Sequence, residues 1–182
     1  KLPELVDSTT FTLSIRGVNA AKVPEVPAPN FAHAVDYKVD RTSPTSSIAF
    51  PAGASFVKTP PTILGPVSDP VVGGVSAGIV QPNGVALRIQ RSGQYWDELA
   101  RGWAGSPVFS TVTYVVATNS FQFASAVSSA LWTDGAQYLV ASRGVDAALG
   151  GLAGNTEVPA VAVSYIFDTS IPTATITSIV TG

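Results

Sequence analysis

The chain has 182 residues, 46% hydrophobic and only 12% charged, with ten Lys+Arg against twelve Asp+Glu, one histidine, no cysteine and no methionine. An ordinary soluble domain carries about 25% charged residues, so much of this surface is expected to be covered by something other than water, most simply by copies of the same chain. The composition excludes disulfides and thiolate metal sites, a net charge of −2 argues against strong nucleic-acid binding by this segment alone, and no run of about 18 apolar residues marks a membrane-spanning helix.

Phe11 to Arg16 alternates apolar and polar residues, the pattern of a half-buried strand. Pro24, Pro27 and Pro29 then deny ladder donors and favour an extended, edge-lying path toward Phe31. Short strands are expected over 32–39 and 46–57, and Pro60, Pro61, Pro66 and Pro70 mark a long irregular loop. Gly73 and Gly74 open an extended segment through Val80, and Pro82-Asn83-Gly84 reads as a tight turn into a strand over 85–90.

A helix is predicted over 92–103. Its apolar residues Tyr95, Trp96, Leu99, Ala100 and Trp103 recur at spacings of three and four. Ser92 is placed to cap it, Asp97 and Glu98 suit its dipole, and Gly105 and Pro107 end it. Strand-like runs follow at 109–118 and 121–132, then a turn at Thr133-Asp134-Gly135. Residues 136–149 suit a strand around Tyr138 or a helical turn after Val145. A glycine-rich loop follows, and 158–167 and 174–180 read as the last strands. So many short strands between turn signals predict an all-β sandwich or jelly roll. It would be a single domain over 1–182, with 1–31 an extended N-terminal arm.

Catalytic patterns are sparse. His33 is the lone histidine and has Asp36 three residues on, but no nucleophile elbow or other local signature accompanies the pair. The carboxylates are scattered. A calcium site at an interface between subunits would draw on Asp36, Asp40 or Asp97; read as solvated turn carboxylates, they need no ion. The glycines at 150–154 lack a following GKS or GKT, so they read as a loop and not as a phosphate cradle. Trp96, Trp103 and Trp132 would stack on sugars if exposed and anchor a core if not. Arg88, Arg91 and Arg101 flank the predicted helix and either face nucleic acid or pair with Asp97 and Glu98.

From the predicted helix onward the order of elements resembles a known family. Ser92 to Trp103 is followed by the alternating run Pro107 to Thr118, then by Phe121 to Gly135 ending in an Asp-Gly turn, and Ala160 to Pro172 carries Ser164-Tyr165 before a proline. This pattern over roughly residues 85–180 is similar to the shell domain of coat proteins of small icosahedral plus-strand RNA viruses. The resemblance implies a jelly-roll subunit without cofactor or turnover, which assembles with many copies of itself in a virion. Viral RNA would be met mainly through residues outside this segment, with no membrane partner.

The basic arm usual in such coats is not found in this segment; it would either precede Lys1 or be replaced by something else. Inward-facing charge would come from Lys1, Arg88, Arg91 and Arg101. Subunit contacts would come from Pro24, Pro27, Pro29, Phe31, Pro60, Pro61, Trp96 and Trp103, with 24–31 and 60–72 lying along neighbours. The alternative from composition is a secreted or surface β-sandwich binding module, an adhesin or a carbohydrate-binding domain.

Overall fold

In the computed structural model, which describes residues 5–15, 17–23, 33–125, 128–148, 154–159 and 161–175, period-two alternation of apolar side chains carries nearly all the regular structure. The strands are β1 (Thr9–Ile15), β2 (His33–Val39), β3 (Thr45–Ser46), β4 (Ser55–Val57), β5 (Ile63–Ser68), β6 (Val85–Arg91) and β7 (Gln94–Asp97). They continue with β8 (Gly102–Ala104), β9 (Ser110–Thr111), β10 (Thr113–Val115), β11 (Ser120–Phe123), β12 (Ala136–Gly144) and β13 (Val163–Phe167). A 3-10 turn at Val116–Thr118 joins β10 to β11, and one turn of α-helix, α1 (Ser128–Leu131), lies before β12. No helix among the described residues is long and apolar enough to cross a membrane.

Three sheets result. The largest runs β4-β13-β12-β6-β7-β8, with β9 added beside β6; a four-stranded sheet runs β10-β11-β5-β3; and β1 and β2 form a separate ribbon. Every pairing is antiparallel except that of β13 with β4. Along β6, Val85, Leu87 and Ile89 are at most 2% exposed while Ala86, Arg88 and Gln90 face the other way. Tyr138, Val140, Tyr165 and Phe167 extend that inner face, and Ile63, Val67, Phe121 and Phe123 of the smaller sheet close over it. The chain is therefore an all-β sandwich. Each fully buried large apolar side chain contributes about 1.5–3 kcal/mol, and the aromatic ones also interlock: Trp132 meets Tyr138 edge-on at 4.9 Å, and Tyr138 stacks on Tyr165 at 5.6 Å.

One buried carboxylate ties the two large sheets together. Glu157 accepts from the Ser46 N–H at 2.8 Å, the Ser46 hydroxyl at 2.6 Å and the Gly144 N–H at 2.7 Å. Ser46 belongs to the smaller sheet and Gly144 ends β12 in the larger. The Ser46 and Ser142 hydroxyls, 2.9 Å apart, complete the network.

Several expectations need correction. The predicted helix over 92–103 is a pair of hairpins. Ser92 and Gly93 have φ of 50° and 80°, the two left-handed residues of a tight two-residue turn, and they fold β7 back on β6. Asp97 then accepts the N–H groups of Leu99 and Ala100, Arg101 takes φ 54°, and β8 returns on β7. Leu99, counted in the apolar stripe, is 96% exposed. The run 121–132 is not one strand either, since β11 stops at Phe123 and Ser128–Leu131 is helical. The loop expected after Pro60 contains β5, with Ile63 wholly buried and Val67 1% exposed. The strands expected over 11–16 and 32–39, by contrast, are present as Thr9–Ile15 and His33–Val39, paired in register. Residues 174 and 175 form no strand, and 176–180 lie outside the described residues.

Candidate functional site

The ribbon is the most unusual surface. Its register puts Phe11 opposite Tyr37 and Leu13 opposite Val35, and Ile15 follows two residues on, so these residues share one face. Thr10, Thr12, Ser14, Asp36 and Lys38 take the other, where the Thr12 hydroxyl donates to Asp36 at 2.5 Å. The apolar face is open to solvent: Leu13 is 54% exposed, Ile15 59%, Val35 64% and Tyr37 39%. Phe11 stacks on Tyr37 with ring centroids 5.7 Å apart. An isolated two-stranded ribbon is marginal in water, and this one is anchored at its root. There Asp7 accepts the N–H of Ser8 at 2.9 Å and of Arg41 at 2.6 Å, and Ser8 donates to the Val39 carbonyl.

Beside that root lies an open cleft of about 610 Å³, walled by Tyr37, Asp40, Arg41, Ser76, Ala147 and Asn155. Asp40, Asp69 and Asp146 converge next to it, with carboxylate oxygens within 4.8 Å of one another. Such an all-oxygen set has the chemistry that a hard divalent cation takes. Most of those oxygens, however, already hold backbone in place. Asp40 accepts from Thr42 and Ala77, Asp69 from Ser76 and Gly78, and Asp146 from Ala148 and Asn155. Asp69 Oδ1 alone is buried without a partner. Pinning three loops at one end of the sandwich accounts for five of the six oxygens.

The carboxylates singled out in the sequence are not brought together. Asp40 belongs to the convergent trio, Asp36 sits on the ribbon's polar face, and Asp97 holds the β7–β8 turn. Asp69 and Asp146 were missed because they lie 29 and 106 residues beyond Asp40 in sequence, and no local spacing signals them.

The basic residues separate as well. Arg91 lies over the Trp103 ring at 4.2 Å and donates to the Thr133 hydroxyl, so it covers the core edge. Arg101 is exposed in the β7–β8 turn. Arg88 points from the outer face of β6 toward Phe109.

Of the expected contact residues, Trp96 is 1% exposed and meets Trp103 edge-on at 5.5 Å from the facing strand, so both serve this chain's own core. Pro61 is buried and Pro60 exposed. Trp132 is buried too, and Trp103 is half-buried beneath the Arg91 guanidinium. Lys1, Pro24, Pro27, Pro29 and Phe31 lie outside the described residues, and His33 contributes its backbone to the ribbon. Searches of protein-family models, curated proteins and solved structures with this chain returned no match.

Proposed function

We propose that this chain is a structural subunit that assembles with many copies of itself into a closed shell around nucleic acid, as the coat protein of a small icosahedral virus with jelly-roll connectivity. The reading is carried by the ribbon. A face of Phe11, Leu13, Ile15, Val35 and Tyr37 held out from the sandwich gains by burial against another surface. With 12% charged residues the rest of the chain also resists contact with a neighbour less than an ordinary surface would. In a shell the second surface is supplied by the next copy, and a repeated contact of one kind closes if its rotation closes. No turnover chemistry is needed for this role.

Negative-stain electron microscopy beside sedimentation velocity tests it. Uniform spheres and a fast-sedimenting boundary are the expected result. A monomer that persists across salt and pH would overturn the shell.

A further inference from the structure

The outer face of the seven-stranded sheet carries side chains that the sandwich core does not use. Tyr95 lies opposite Gln90, Gln90 opposite Leu139, and Leu139 opposite Ser164, in one row across four strands. One step along, Arg88 lies opposite Ala141 and Arg143 opposite Ala86. Residues two apart on a strand share a face, so Arg88 and Arg143 are diagonal neighbours, about 7–8 Å apart along the backbone. Both guanidiniums sit on one ring. The Arg143 guanidinium carbon is 4.1 Å and that of Arg88 5.5 Å from the centroid of Phe109.

Two cations held this close repel, and an aromatic quadrupole offsets only part of that cost. Among the described residues neither guanidinium has a carboxylate or hydrogen-bond partner, and Arg143 Nε is buried with none. Around the arginine pair, Gln90, Gln137 and Ser164 are neutral. The acid on this face, Asp97, lies in β7 two residues beyond Tyr95 and accepts the Leu99 and Ala100 N–H groups through Oδ1. Aromatic rings stand on this face too. Tyr95 stands in the row beside Arg88, and Phe56, 70% exposed, shares the face through its pairing with Ile166. At about 4.8 Å per strand, Phe56 on β4 lies about 14 Å from β6, a span that a few nucleotides cover.

We propose that this outer face binds single-stranded nucleic acid, with Arg88 and Arg143 on Phe109 holding a backbone phosphate and Tyr95 and Phe56 offering rings to bases. Unpaired guanidiniums beside aromatic rings on an open sheet are the combination that single strands require: a cationic track for phosphate and flat faces for stacking. The pair therefore supplies locally what the overall charge of −2 does not. The proposal deepens the shell reading by naming the surface that meets the cargo. Its test is made on protein in solution, so binding and assembly are read separately.

The probe is a fluorescently labelled poly-uridine strand followed by anisotropy over a range of salt concentrations, with sedimentation velocity on the same samples. Wild-type protein is expected to bind at low salt. The double variant Arg88→Ala, Arg143→Ala is expected to bind at least about tenfold more weakly, with a salt slope smaller by about two. Arg88→Lys with Arg143→Lys should keep that slope. Near-ultraviolet circular dichroism confirms that the variants stay folded. Equal affinity and slope in wild type and the alanine variant would overturn the proposal, as would absence of wild-type binding at low salt. Loss of assembly with nucleic-acid binding intact would also overturn it, since the arginines would then meet a carboxylate on another copy.

Discussion

Two stacked tyrosines show how far single side chains differ inside one core. The Tyr138 hydroxyl donates to the Leu131 carbonyl at 2.9 Å and accepts the Thr133 N–H at 2.7 Å, so it fixes the end of α1 and the turn that follows. The Tyr165 hydroxyl is buried without a partner. Burial first, and the neighbouring Tyr138 second, push the Tyr165 phenol far above its ordinary value of 10.0, so it stays neutral. An unpaired buried hydroxyl carries a desolvation cost that phenylalanine does not. Tyr165→Phe is therefore expected to leave stability unchanged or raise it by about 1 kcal/mol, whereas Tyr138→Phe should lower it by about 1–3 kcal/mol. Urea midpoints at unchanged slope check both. A large loss in Tyr165→Phe would mean that the hydroxyl has a partner after all.

Among elements, the joint between the two large sheets rests on Glu157, whose carboxylate takes two hydrogen bonds from Ser46 and one from Gly144. Glu157→Ala leaves these buried donors unanswered and is expected to cost about 2–4 kcal/mol; Glu157→Gln, which keeps one acceptor, should cost less. Thermal unfolding ranks the pair, and a Glu157→Gln variant as stable as the wild type beside a destabilised Glu157→Ala would show that packing rather than the carboxylate matters. Nothing in the sequence announces this contact, because Ser46 and Glu157 are 111 residues apart. What the sequence does show is local. Alternation marks β1, β2, β6 and β13, and Pro82-Asn83-Gly84 marks the turn before β6, where the Gly84 N–H bonds the Val80 carbonyl. The helix predicted over 92–103 failed on an ambiguity of spacing. Trp96 and Trp103, seven apart, fit two helical turns and equally fit facing positions in a hairpin. The left-handed turn at Ser92 and Gly93 chose the hairpin. The convergence of Asp40, Asp69 and Asp146 is likewise invisible until strands far apart in sequence are set side by side.

For the whole molecule, the question is which force would hold copies together. With so few charges, and an exposed ribbon face of Leu13, Ile15, Val35 and Tyr37, burial of apolar surface dominates over ion pairing. Such burial is largely entropic near room temperature and weakens on cooling, while added salt leaves it intact or strengthens it. Assemblies are therefore expected to persist in sodium chloride of about 1 M, where the Debye length of about 3 Å screens exposed ion pairs, and to loosen on cooling. The ribbon can be tested without unfolding it, because Leu13 and Val35 lie directly opposite each other. Leu13→Glu combined with Val35→Lys places opposite charges across the strands, which supports the pairing while making the face polar. This double variant should remain folded, by circular dichroism, yet sediment as a single subunit under conditions where the wild type is expected to sediment as a shell. Shells of undiminished yield from it would move the contact elsewhere on the sandwich. Salt-induced dissociation of the wild type would place it on charged groups instead of on the ribbon.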